Sequence, residues 1–343
     1  MLSNIKTLLN IALSSLFMQN EESLISEELL DEAQIAFKTY FKPEVRFERS
    51  IFLSWLTSKS SSDFSFTLLK RPIKNAQVAR RSLTSVLAEA YLCKQLGWDV
   101  IVMNNYEVYK FDEFIEILKN VSNVYESKVA VGTIPLSRSE LDIIKPYTSS
   151  IVASMETVNK DIHKRISSNK SIEPFLRMLG EAQDFDRGIS ITLGLGETLR
   201  GIKELHRFIE THSITRITLL PLIPEKGSKY LESPSSFYIT RWIAETRLRF
   251  PSIRIIAGTW IDRAAEIGLF LKAGANDITK FPAIKFFNSE QSKIIEEECR
   301  NAGRKFLGTL TDAAYLKNID KLDVEEDIKL KLNKYVSSIK KSK

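Results

Sequence analysis

After Pro43 the chain settles into a rhythm that leaves few folds open to it. Short runs rich in β-branched residues alternate with longer runs of helical spacing, and the unit recurs eight times. The predicted strands lie at 50–55, 99–103, 128–131, 150–154, 189–193, 216–220, 253–257 and 277–279. Predicted helices fill the gaps at 76–96, 110–121, 137–145, 172–182, 198–210, 237–249, 262–272 and 289–302. Such alternation predicts parallel strands covered by helices. Eight units fit a closed (β/α)8 barrel of TIM type, and periodicity alone leaves a doubly wound open sheet as the competing architecture. No Gly- or Pro-rich linker divides the repeat. The expected organisation is therefore a helical extension over 1–43, one barrel over 44–308, and a basic helical tail over 309–343.

In the extension, Ile5, Leu8, Leu9, Ala12, Leu13, Leu16 and Phe17 recur at three- and four-residue steps. That is one face of an amphipathic helix, too short to span a bilayer and without a clear cleavage site. A second helix opens at Ser26, with Glu28 in its first turn. At 343 residues the chain can bury a large core. An apolar share of 43% with 27% charged residues is that of a soluble globular protein, which argues against a membrane partner. The net charge of +6, from 49 basic against 43 acidic residues, is spread along the chain. This balance is compatible with nucleic-acid contact without demanding it. Only 329–343 is distinctly basic, and it reads as a solvated helix end.

Two cysteines, Cys93 and Cys299, each sit in a helical segment with no cysteine or histidine at metal-ligand spacing. His163, His206 and His212 form no motif. The thiols read as structural, no metal site is expected, and such sparse cysteine use suggests a reducing, cytoplasmic setting.

In a parallel barrel, chemistry is carried by the loops at the strands' C-terminal ends. After the first strand, IFLSW, comes a loop crowded with hydroxyl residues. In it Ser58, Ser62 and Ser65 are separated by three residues and then two, with Phe64 before the last. After the second strand stand Asn104 and Asn105; after the fourth, the segment SMETVN with Glu156. The fifth gives ISITLGLGET with Gly194, Gly196 and Glu197, the sixth PLIPEKG, and the eighth GANDITKFPA with Lys280.

Taken in this order, the segments resemble the radical S-adenosylmethionine (SAM) superfamily, and within it the biotin synthase and lipoyl synthase-like branch. They are most similar to the archaeal proteins that pair as two-component lipoyl synthases. The resemblance runs from about Arg46 to about Gly308. It implies a barrel holding a [4Fe–4S] cluster on three cysteines, whose fourth iron is chelated by SAM before SAM is cleaved to a radical.

This sequence departs from the pattern twice. The cluster positions hold Ser58 (or Thr57), Ser62 and Ser65. Clusters are held by thiolates, and a serine hydroxyl stays protonated and hard at neutral pH. Relatives carry a glycine pair after the second strand where the backbone approaches the SAM amino group, and Asn104 and Asn105 are expected to crowd that approach. The resemblance implies that Glu156, Gly194, Gly196 and Glu197 are the remains of a SAM pocket. Their structural alternative is a tight turn, with Glu197 capping the following helix. Lys280 reads as a solvated lysine or an anion-binding one. Arg80 and Arg81 read as an exposed helix face or a partner-binding patch.

The expected protein is a degenerate radical SAM-like barrel with no cluster and no SAM, docking onto another protein such as an active radical SAM homologue. A nucleic-acid or ribonucleoprotein-associated protein is the second class, and an enzyme with an altered SAM site the third.

Overall fold

A computed structural model describes residues 25–54, 79–104, 109–166, 171–224 and 229–341. The first amphipathic segment, the positions Thr57, Ser58, Ser62 and Ser65, residue Asn105 and the Glu225–Lys226–Gly227 stretch lie outside the described residues.

Eight parallel strands close into a ring: β1 (Glu44–Phe52), β2 (Asp99–Asn104), β3 (Val129–Thr133), β4 (Thr148–Glu156), β5 (Asp186–Leu193), β6 (Arg216–Pro221), β7 (Arg254–Gly258) and β8 (Asp277–Thr279). β1 pairs with β2 on one side and β8 on the other, so the ring has no edge and the open-sheet alternative falls. Around it run α2 (Leu83–Gln95), α3 (Phe111–Tyr125), α4 (Arg138–Ile144), α5 (Lys160–Ile166) and α6 (Glu173–Glu181). They are followed by α7 (Gly201–His212), α8 (Ser236–Arg249), α9 (Ile267–Lys272) and α10 (Glu290–Asn301). Flanking the barrel are α1 (Glu27–Tyr40) and α11 (Glu326–Lys341).

The two-residue period of each strand sorts the side chains into two cores. Val100, Val102, Val131, Ile151, Ile189, Ile217 and Ile255 face the helices and join the large core. Ile101, Met103, Ala130 and Val152 form a small apolar cluster in the lumen, against Phe52. Most of the remaining lumen is polar. Glu48 and Ser50 of β1, Ser150 of β4, Thr192 of β5, Arg216 and Thr218 of β6, and Asp277 and Thr279 of β8 are all buried. At the foot of the barrel Arg216 pairs with Glu48, while Arg254 bonds Asp277 at 2.7 Å and Asp99 at 3.1 Å.

β1 begins six residues before its predicted start. Glu44, Val45 and Arg46 pair with a short ninth strand, β9 (Lys305–Leu307), that the sequence pattern does not announce. The turn after β9 needs Gly308, whose φ is +82° and whose pro-β position runs into the carbonyl oxygens of Leu96 and Gly97.

Ser26 caps α1, accepting from the Leu29 amide at 3.1 Å. The helix seats Phe37 fully buried against the barrel foot, with the guanidinium carbons of Arg304 and Arg247 3.3 and 5.7 Å from its ring centre. The C-terminal helix α11 is not a solvated end. It turns Leu332, Val336 and Ile339 into the core and packs on α2. Lys329, Lys331 and Lys334 lie outside this buried stripe, which is why the segment looks merely basic in sequence.

Candidate functional site

The C-terminal mouth of the barrel gathers Glu156, Gly194, Gly196, Glu197 and Lys280, and shows how each of these is used. Gly194 and Gly196, both at φ +104°, turn the chain sharply after β5. The turn presents the amides of Gly194 and Leu195 to one carboxylate. Glu197 accepts from the first at 2.6 Å and from the second at 2.9 Å. Tyr238 of α8 closes the ring, its hydroxyl 3.1 Å from the Glu197 carbonyl and 3.4 Å from the carboxylate. Burial, and then the Glu197 charge, push the Tyr238 phenol well above its ordinary pKa, so it stays a donor. Glu197 does not cap the next helix. The N-cap of α7 is Arg200, which has no side-chain capping bond, because the helix starts too far beyond the turn for Glu197 to serve both. Beside exposed Gly196, the Arg165 guanidinium, which donates to the Leu195 carbonyl at 2.9 Å, lies 2.8 Å from where a Cβ would stand.

Glu156 ends β4 at φ +63°, where the pairing with β5 shifts register between Ser154 and Glu156. Its carboxylate accepts from Thr192 Oγ1 at 3.1 Å. Beyond it, Asn159 caps α5 through the Ile162 amide at 2.9 Å and donates to Glu204 at 2.7 Å. The SMETVN segment thus builds the β4 turn.

Lys280 is not a solvated lysine. At φ +70° it turns inward from the end of β8, placing Nζ 3.4 Å from Ser50 Oγ and 5.1 Å from the Phe52 ring centre. Burial lowers its pKa to about 8, against the opposing pull of Glu156 and Glu48 and with Arg49 adding to the fall.

Asn104 does not crowd the mouth. It follows Val100 and Val102 onto the helix side of β2, is 6% exposed, and lines a cavity of about 540 Å³ with Arg80, Tyr109, Phe114 and Pro135. Its Oδ1 is buried, with no hydrogen-bond partner among the described residues.

The two arginines after the hydroxyl-rich loop are not a free helix face either. Arg80 bonds Glu113 at 2.7 Å and lies 4.1 Å from the Tyr109 ring centre. Arg81 is buried, pairs with Glu89 at 2.8 Å and donates to the Phe52 carbonyl at 2.9 Å. Sequence reasoning missed Glu89. A glutamate amid the apolar run of α2 was the available signal, since a lone buried carboxylate needs a cation.

The donor set does not fit a cysteine-held cluster. The chain has two cysteines, and both are buried on helices outside the ring, Cys93 on α2 and Cys299 on α10. Burial raises both thiols, Cys299 to about 12 and Cys93 well above its usual value, so neither is a ready thiolate.

No protein-family model matches the chain. It is 36% identical over 324 residues to the uncharacterized protein MJ0597 of Methanocaldococcus jannaschii, covering 90% of this chain and 89% of that protein. The chain belongs to the same family as MJ0597. Among solved structures, methylornithine synthase (PylB) superposes with a TM-score of 0.67 at 17% identity, over 84% of this chain and 92% of that one. The FeFe-hydrogenase maturase HydG from Carboxydothermus hydrogenoformans gives 0.65 at 15% identity, over 99% of this chain and 93% of its own. At such identities the likeness is one of fold. This chain thus has a (β/α)8 barrel of the same fold as methylornithine synthase and HydG. No helix among the described residues is long and apolar enough to cross a membrane.

Proposed function

We propose that this chain is a radical SAM-like pseudoenzyme that has lost its [4Fe–4S] cluster and acts as a non-catalytic subunit, docking onto another protein. The observation that carries the reading is the donor set: a chain with two buried, peripheral cysteines cannot supply three thiolates to one cluster. The GLGET turn supports it, because Glu197 is spent on its own loop amides and on Tyr238. A partner that is itself an active radical SAM homologue would supply the chemistry.

Anaerobic reconstitution with iron and sulfide, joined to affinity capture of a tagged copy from the native host, tests this. The protein is expected to stay colourless, without the broad absorption near roughly 400 nm of a [4Fe–4S] centre. One protein is expected to co-purify at moderate salt. Stoichiometric iron with that band, abolished by Ser62→Ala with Ser65→Ala, would overturn the loss of the cluster. Retention only on RNA or DNA, released by salt, would overturn the scaffold role.

A further inference from the structure

We propose that the barrel mouth is a reversible covalent capture site for a small hydroxylated aldehyde or ketone, held as an imine on Lys280. The proposal goes beyond the scaffold reading and does not depend on it.

Backbone strain marks the place. Five non-glycine residues among those described have positive φ: Glu126, Glu156, Ser213, Lys280 and Asn288. Glu126 and Ser213 are the C-caps of α3 and α7, and Asn288 sits in the turn before α10. Helix capping and turns account for those three. Glu156 and Lys280 end barrel strands, where extended backbone is the unstrained course, and strain of this kind clusters at functional sites. In both cases it serves to turn a reactive group. Lys280 swings across Ser50, and Glu156 is fixed in position by the Thr192 hydroxyl.

The surroundings select the ligand. Ser50, Thr192 and Thr218 bring hydroxyls to the lumen, and Phe52 supplies an apolar face beneath the amine. Hydroxyls suit a polyhydroxylated carbon chain, while the carboxylate disfavours an anionic one.

The reaction balances without an outside oxidant or reductant. Glu156 takes the ammonium proton, directly or through water, and the freed Nζ lone pair attacks the carbonyl carbon. An Nζ proton passes to the former carbonyl oxygen, giving a carbinolamine. Glu156 then returns its proton to the departing hydroxyl, one water leaves, and the C=N bond remains. The charged groups bearing on the amine are Glu48 and Arg49 of β1 and Glu156 of β4, with Arg216 of β6 neutralising Glu48. Burial outweighs the two carboxylates and sets Lys280 to about 8, so much of the amine is uncharged at mildly alkaline pH, where an ordinary lysine is almost wholly charged.

Glyceraldehyde with cyanoborohydride, which fixes imines as stable secondary amines, tests this on the full-length chain. Peptide mapping is expected to place the label on Lys280 at least about tenfold faster than on exposed lysines of the same molecule. Its rate should rise with pH to a midpoint near 8. Glu156→Gln should move that midpoint to lower pH, because the carboxylate holds the lysine up. In unreduced samples the aldehyde should raise the melting temperature of the native chain and not of Lys280→Arg. Labelling of Lys280 no faster than of exposed lysines overturns the proposal. The native chain alone gives that result, so it stands even if a variant fails to fold. The scaffold reading is tested separately by the capture experiment.

Discussion

Replacing Glu89 by glutamine keeps the shape of the side chain and removes one charge from a largely buried cluster, in which only Arg49 keeps partial contact with solvent. Glu89 is 2% exposed and accepts from Arg49 Nε at 2.8 Å and Arg81 Nη2 at 2.8 Å. Arg81, itself 3% exposed, also reaches the carbonyls of Phe52 and Ser85 and, at 3.4 Å, the Tyr335 hydroxyl of α11. One carboxylate therefore balances two guanidiniums at the point where β1, α2 and α11 meet. Leaving such cations uncompensated costs about 3–5 kcal/mol, a large part of a stability of about 5–15 kcal/mol. For a barrel of this size that is roughly 5–8 °C in melting temperature. Calorimetry at neutral pH reads the value directly, and an acid series tests its cause. Burial pushes the Glu89 carboxyl up, but Arg49 and Arg81 outweigh it and hold it below its ordinary value. A depressed carboxylate stabilises above its unfolded pKa, and the contribution fades as pH falls through the folded one. The gap between native and Glu89→Gln should therefore be full at pH 7 and shrink below about pH 4. A gap under about 1 kcal/mol at pH 7, or one unchanged into acid, would refute the argument.

Three further outcomes are expected. Glu197→Gln should cost about 1–2 kcal/mol in urea unfolding, because it weakens charge-assisted bonds to two loop amides; an exposed helix-start charge would give about 0.3–1 kcal/mol. Gly308→Ala should cost about 3 kcal/mol or more by the same assay, since both the positive φ and the Leu96 and Gly97 carbonyls oppose a Cβ. SAM, S-adenosylhomocysteine and ATP should leave the melting temperature unchanged. A SAM-dependent gain of roughly 2.7 kcal/mol at a hundredfold excess over its dissociation constant, lost in Glu197→Gln, would point to a working nucleoside pocket.

The sequence by itself determined the eight strand–helix units and the number of thiols, while their closure into a ring waited on the pairing of β1 with both β2 and β8. The strand face that lies under the helices must be apolar at every second residue, so β2 to β8 stand out locally as β-branched runs, and their spacing leaves room for one helix each. The cysteine count is likewise a property of composition: no folding can create a third thiolate. The tertiary structure decided what depends on partners distant in sequence. β9 and the early start of β1 exist only through their pairing with each other across the whole barrel. Arg81 looked exposed because its counter-ion, Glu89, is hidden in the apolar face of a helix. Lys280 looked solvated because one backbone angle, invisible in the sequence, sends its amine into the lumen instead of into water. A side chain's solvation follows from the direction its backbone gives it and from what that direction meets, and only the closed barrel fixes both.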